Sequence, residues 1–277
     1  MLEKAKYSWQ AWVIPCIVIL IWFVLGATGR LNAGVFPTIG EVWDAFLYLT
    51  GKGLLTEHII DSLSRVLVGF GMAIVVGVPL GILMGWIPAS QIWFGPILHF
   101  LRQVPPTAWI PLFLLWFGIG EGSKFAVIFY ASVFPIAINT ALGVQQIPNE
   151  YWEVSRALCL PAGKTLTKLI LPGSFQAIFT GLRLGMGMSW RALVAAEMLA
   201  SSSGLGYLIM SSRSLARVDE MLVGIAAIGF IGMFIDILFV GVQKRMLPIW
   251  QLRSEPVRGE VHGETSPAVG KRLQEVQ

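Results

Sequence analysis

Six apolar stretches constrain this chain more than any other feature. They lie at 12–27, 63–86, 93–117, 125–144, 175–199 and 221–243. Each approaches the roughly twenty residues that an α-helix needs to cross a bilayer. Backbone amides and carbonyls find no water in hydrocarbon, so runs of this kind must satisfy them internally, as helices. The expected fold class is all-α: a polytopic transmembrane helical bundle of about six spans. Composition agrees, because 55% of the residues are hydrophobic and only 13% are charged. A mean hydropathy of +0.71 excludes an ordinary soluble domain. Arg102 and the Pro105-Pro106 pair interrupt the third stretch. They predict a kink or a broken helix, which a membrane tolerates only where protein or water re-satisfies the backbone.

Lys and Arg set the orientation. With the N-terminus inside, the inner segments carry eleven of the twenty basic residues: Lys4, Lys6, Arg156, Lys164, Lys168, Lys244, Arg245, Arg253, Arg258, Lys271 and Arg272. The outer segments carry five, namely Arg30, Lys52, Lys124, Arg213 and Arg217, and the other four fall in or beside spans. Both termini are therefore expected in the cytoplasm, with the chain in the cell inner (plasma) membrane. Lys4 and Lys6 ahead of an apolar core also fit a cleaved signal peptide. The weak cleavage site at Gly26-Ala-Thr-Gly29 favours an uncleaved anchor. Residues 1–60 read as an anchor helix and an outer-face amphipathic helix with its loop. Residues 61–250 read as the transmembrane core, and 251–277 as a polar, disordered tail.

Gly77, Gly81 and Gly85 recur every four residues, as do Gly181 and Gly185. Such strips let another helix approach closely, either within one subunit or at a dimer seam, and Pro79 adds a local bend. Ionisable groups inside the spans should face protein or water. Arg183, Arg191 and Glu197 are candidates in the fifth stretch and Asp236 in the sixth. Arg191 suits a small oxyanion in a translocation path, because its planar fork matches sulfonate, nitrate or carboxylate. The alternative gives Arg191 and Glu197 to backbone or partner-helix groups. Arg183 reads as an anchor near the inner end.

His58, His99 and His262 lack partners at ligand spacing, and Cys16 and Cys159 sit far apart in different settings. No metal, disulfide or cofactor is expected. No Ser/His/Asp set and no basic nucleic-acid stripe is present. Gly163-Lys164-Thr165 resembles the end of a phosphate loop, but the Gly required five positions earlier is Leu158, so the match fails.

The polar insert at 149–172 has helix-competent pieces and ends in Pro172-Gly173, which reads as a stop. Val154, Ala157 and Leu158 share a helix face at i, i+3, i+4, with Glu153 and Arg156 to the sides. That strip is too small to hold a membrane surface firmly but adequate as a knob in a partner's groove. Glu153-Val-Ser-Arg-Ala-Leu-Cys159, then nine residues, then Leu169-Ile-Leu-Pro172, resembles the cytoplasmic signature of ABC importer permeases. In that signature Glu153 takes the Glu position, Val154 and Ser155 the two alanines, and Leu169 the Ile. Leu171 and Pro172 close it. Cys159 stands where the family has a Gly that ends the first short helix in a left-handed turn.

Arg102-Gln-Val-Pro-Pro-Thr-Ala-Trp-Ile-Pro111, Leu115-Trp-Phe-Gly-Ile-Gly120, Phe134-Pro-Ile136 and Ala195-Ala-Glu197 with Ser203-Gly-Leu-Gly206 look like the nitrate/taurine/sulfonate-type subgroup. The resemblance implies a type I importer fold. It implies as partners two ATP-binding subunits, an extracytoplasmic solute-binding protein and a second permease subunit forming a homodimer. It makes the insert the ATPase-coupling element, comprising Glu153, Val154, Ser155, Arg156, Ala157, Leu158, Cys159, Leu169, Leu171 and Pro172. Arg102, Arg191 and Glu197 are the substrate-path candidates. The chain itself is not expected to be an enzyme. Aliphatic sulfonates or taurine come first as solute, then nitrate, bicarbonate or a small heterocyclic vitamin precursor. The competing expectation is a secondary transporter or channel that uses Arg191, Glu197 and Asp236.

Overall fold

The computed structural model describes residues 10–28 and 36–251. Among them all regular structure is helical. The order is α1 (Gln10–Ala27), α2 (Ile39–Gly51), α3 (Leu54–Trp86), α4 (Pro88–Leu101), a 3-10 turn (Pro106–Trp109), α5 (Ile110–Phe117) and α6 (Glu121–Gln145). Then follow α7 (Asn149–Ala157), α8 (Ala162–Ala200), α9 (Leu205–Ser214) and α10 (Val218–Gln251). Leu54–Trp86, Glu121–Gln145 and Val218–Arg245 are each long and apolar enough to cross a bilayer. α8 and α9, bent by 40° at a short break, are together also long and apolar enough to cross one.

α6 is the axis of the fold. Val127, Ile128, Ile136, Ala137, Thr140 and Val144 are all buried, between α3 on one side and α8 on the other. Small residues make this possible. Added Cβ atoms at Gly69, Gly77, Gly81 and Gly85 of α3 would strike Ile128, Ile136, Thr140 and Val144 of α6 in turn. The near-constant offset shows the two helices running parallel. Gly181 and Gly185 of α8 would meet the carbonyl oxygens of Pro135 and Ser132 at 3.0 and 3.2 Å, in antiparallel order. Both glycine strips therefore work within one subunit, on opposite faces of one helix. In lipid, where tails are as apolar as leucine, such close backbone contact substitutes for a hydrophobic drive.

The expected break in the third apolar stretch is present, while two other expectations change. α4 stops at Leu101, and the chain resumes as a 3-10 turn after Pro105 and as α5 from Ile110, because Pro105 and Pro106 lack amide hydrogens and exclude the helical conformation before them. The second span begins at Leu54, earlier than residue 63, since its polar first turns continue the helix beyond the apolar run. Nor is Pro172-Gly173 a stop. A π turn at Leu166–Ile170 lets Leu171 N–H reach Leu166 O. The widened turn accommodates the proline ring and its missing donor, and the helix runs on to Ala200.

Between the anchor and the core, α2 is the expected amphipathic helix. It opens with a capping box in which Thr38 N–H donates to Glu41 Oε2 at 2.7 Å and Glu41 N–H to Thr38 Oγ1 at 3.3 Å. It buries Ala45 and Leu49 against the rest of the bundle. Lys4, Lys6, Arg30 and the tail at 252–277 lie outside the described residues.

Candidate functional site

Two polar constructions occupy opposite ends of the three-helix core. The twenty residues from Arg65 to Gly85 on α3 put them roughly 30 Å apart at 1.5 Å per residue.

At the first end, α7 and the start of α8 form the insert. Ser155 and Thr165 are its only buried polar side chains, and their hydroxyls approach to 3.3 Å across the turn. Next to Ser155 on α7 and the turn that follows it, Tyr151, Val154 and Leu158 are 42, 56 and 65% exposed, an apolar strip at i, i+3, i+7. Glu153, Arg156 and Ala157 are exposed beside it, whereas Ile170 is fully buried and Leu169 half-buried. A cavity of about 680 Å³ lies between α7 and the ends of α3 and α6, lined by Trp86, Gln145, Trp152 and Arg156 among others.

The turn after α7 resolves the Cys159 irregularity. Cys159 itself adopts the left-handed conformation, at φ 47°. Cys159 N–H donates to Arg156 O at 2.9 Å and Leu160 N–H to Ser155 O at 3.1 Å, the pair of bonds of a Schellman motif. A residue with a Cβ thus bears the strain of the left-handed turn. Ala216 repeats this after α9, at φ 56°, with Arg217 N–H bonded to Ser212 O at 2.8 Å. Cys159→Gly should stabilise the chain by about 1 kcal/mol, the left-handed cost of a residue with a Cβ. A thermal unfolding scan of the purified chain would register the gain; an unchanged or lower midpoint would contradict it.

At the other end lies a buried ionic lattice that joins four helices. Arg65 of α3 forks onto Glu121 of α6, Nε to Oε2 at 2.8 Å and Nη2 to Oε1 at 3.0 Å. Its Nη1 donates to Glu197 Oε1 of α8 at 2.9 Å and to Ser203 O at 2.9 Å. Lys124 Nζ joins Glu121 Oε1 at 2.9 Å. Ser62 Oγ lies 2.9 Å from both Glu197 oxygens and accepts the Leu205 N–H at 2.9 Å. Gly206 N–H donates to Glu197 Oε2 at 3.0 Å, and Gly204 N–H to His58 Nδ1 at 3.1 Å.

Glu197 thus caps the N-terminus of α9, where free amides and the helix dipole favour an anion. The buried Arg65 and Lys124 face the buried Glu197, the half-exposed Glu121 and, at 3.9 Å from Arg65, Asp61, so the buried cations are compensated. The segment Ser203-Gly-Leu-Gly206 has its glycines for a steric reason. A Cβ at Gly204, where φ is +105°, would collide with the Glu197 carboxylate, and one at Gly206 with Val194 O. Glu197 is 1% exposed and fully engaged, so the structure gives it to partner-helix groups and not to a solute.

The other path candidates lie between these ends. Arg102 is exposed at the broken stretch and lines a cavity of about 350 Å³ with Gln103, Tyr130, Asn139 and Met188. Arg191 is exposed on α8. Arg183 is paired with Asp236. Sequence reasoning missed Ser62, Arg65, Glu121 and Lys124 as one unit. The available signal was charges of both signs beside spans, which hydrocarbon forces into partnership.

Residues 77–248 match the family described as binding-protein-dependent transport system inner membrane component. The chain is similar to the taurine transport system permease protein TauC of Escherichia coli, with 32% identity over 84% of this chain and 86% of that protein. It is 39% identical to the nitrate import permease protein NrtB of Synechocystis, over 73% of each. Among solved structures, the MetNI methionine ABC transporter in an inward-facing conformation superposes with a TM-score of 0.61 at 16% identity. That match covers 71% of this chain and 97% of that one, and the likeness concerns the fold.

Proposed function

This chain belongs to the family of binding-protein-dependent transport system inner membrane components, and from that premise we propose that it forms the path for a small anionic solute in an ATP-driven importer. It is an ABC importer permease and not an enzyme. ATP hydrolysis belongs in this reading to two copies of a separate subunit, which receive α7 in a surface groove. An extracytoplasmic binding protein delivers the solute to the opposite end, and a second copy of the chain completes the path. Both termini then lie in the cytoplasm, on the side of α7.

The observation that carries this reading is the exposed strip Tyr151, Val154 and Leu158 on a helix fixed along the strip's edge by the Ser155–Thr165 contact. Apolar side chains so presented, on a short helix outside the apolar spans, are shaped for a partner's groove. An aliphatic sulfonate such as taurine is the first choice of solute, with nitrate and bicarbonate next. TauC and NrtB carry such names, and Arg102 and Arg191 offer guanidinium forks that fit oxyanions. The secondary-transporter reading is not favoured, because Asp236 is bound by Arg183 and Glu197 by Arg65 and Ser62.

Reconstitution tests it. Proteoliposomes holding the chain with its ATPase subunit should take up taurine only with ATP inside and loaded binding protein outside. Uptake by the chain alone, driven by an ion gradient and indifferent to ATP, would overturn it.

A further inference from the structure

Three side chains hold the start of α9 after the α8–α9 break. The first amides of a helix have no carbonyl a turn earlier to bond, and here each has its own acceptor. Gly204 N–H donates to His58 Nδ1 at 3.1 Å, Leu205 N–H to Ser62 Oγ at 2.9 Å and Gly206 N–H to Glu197 Oε2 at 3.0 Å. A serine hydroxyl keeps its proton in water, and Glu197 also answers Arg65. Of the three acceptors, the imidazole is the one whose ordinary charge change falls between pH 5 and 8.

The bond to Gly204 fixes the state of the ring. A ring nitrogen accepts only while it carries no proton, so Nδ1 is bare and the neutral imidazole has its hydrogen on Nε2. Protonation makes Nδ1 a second donor aimed at the Gly204 hydrogen, and the amide loses its acceptor. His58 lies in the second turn of α3, ahead of the apolar run that starts at residue 63, and it is half-buried. Protons therefore reach it from the water at that end. Gly204 sits at φ +105°, and a glycine released there gains more conformations than any other residue.

The surroundings also offer the charged ring a second partner. On its own helix, Glu57 and Asp61 put negative charge beside it and Arg65 positive charge. From α9 the Tyr207 ring meets it edge-on, with centroids 5.9 Å apart. α8 brings Glu197, bonded to Ser62 and Arg65, and α6 brings Glu121, bonded to Arg65 and Lys124. Those two carboxylates are taken. Asp61 is not: it stands 3.9 Å from Arg65 with its side chain 34% exposed, three residues on from His58 and so on the same helix face.

We propose that His58 is a proton-operated latch on the α8–α9 break. Neutral, it holds the Gly204 amide; protonated by water, it releases that amide and turns to Asp61. The bond is present above the titration of the imidazole, about pH 6.5 for an unperturbed histidine, and is lost as pH falls through it. Ser62 and Glu197 keep their own amides, so acid loosens the first turn of α9 without unfolding the helix. The latch depends neither on the solute nor on the role of α7.

Hydrogen exchange of the full-length chain in lipid nanodiscs, read by mass spectrometry and corrected for the intrinsic pH dependence of exchange, tests it. Protection of peptides covering 203–208 should fall about fivefold between pH 7.5 and 5.5, the worth of one net hydrogen bond, while peptides of α6 keep theirs. His58→Asn supplies a carbonyl oxygen that does not titrate and should hold the protection constant. Unchanged protection in the unaltered chain would overturn the proposal. An equal fall in His58→Asn would do the same, by assigning the titration to Asp61 or Glu197. A second measurement leaves His58 in place. With His99→Gln and His262→Gln, the nitrogen-15 spectrum of the one remaining histidine should show a bare Nδ1 at pH 7.5 that gains a proton as protection falls; a hydrogen on Nδ1 at pH 7.5 would refute the latch.

Discussion

Leu158→Glu should reduce ATP-driven uptake to background while the chain still folds and inserts. Leu158 is 65% exposed, so the monomer loses almost no packing. A carboxylate forced unpaired into a partner's apolar groove costs several kcal/mol, and central interface anchors carry 2 kcal/mol or more, about thirtyfold in affinity, when simply truncated. Glu153→Ala should act in the same direction, more weakly, because Glu153 is exposed on the flank of the strip. The measurements are co-purification of the ATPase subunit and stimulation of its hydrolysis by loaded binding protein. Unimpaired transport in both variants would remove α7 from its assigned role.

The second large effect is on stability. Glu197→Ala deletes the carboxylate that holds Arg65, Ser62 and the Gly206 amide. Arg65 keeps its fork on Glu121, but the Ser62 hydroxyl and the Gly206 amide lose their acceptor, and each buried donor left unsatisfied costs about 1–3 kcal/mol. For a chain of this size that corresponds to a drop on the order of 10 °C in unfolding midpoint. Glu197→Gln keeps the shape and one acceptor, and should lose less. Tryptophan fluorescence of the detergent-solubilised chain during heating gives the comparison. A midpoint equal to that of the unaltered chain would show that the lattice does not hold the α8–α9 break.

Particular residues show why some of this was legible in the sequence. Helix type, the polar insert and the glycine strips are local or periodic properties. Gly77, Gly81 and Gly85 announce a close approach wherever they occur, and Pro105-Pro106 announces a break. Val154 and Leu158 announce a face by their spacing alone. Pro172 misled because a proline stops a helix only if the turn before it stays α-helical, and the π turn at Leu166–Ile170 is set by how the insert packs. Glu197 misled more deeply. A carboxylate in a span is a functional candidate by default, and nothing nearby in sequence discloses partners on α3 that lie 132 and 135 positions away.

From the sequence alone came a helical membrane chain, a break in its third apolar stretch and an insert spaced as in importer permeases, because apolar periodicity and proline chemistry act within one helix. Tertiary structure alone decided that both glycine strips serve α6, that Glu197 caps α9 and that Arg183 is tied to Asp236 while Arg191 has no ion-pair partner among the described residues. Those outcomes depend on which helices become neighbours. In a bilayer, the close fit of backbones and the compensation of buried charge decide that.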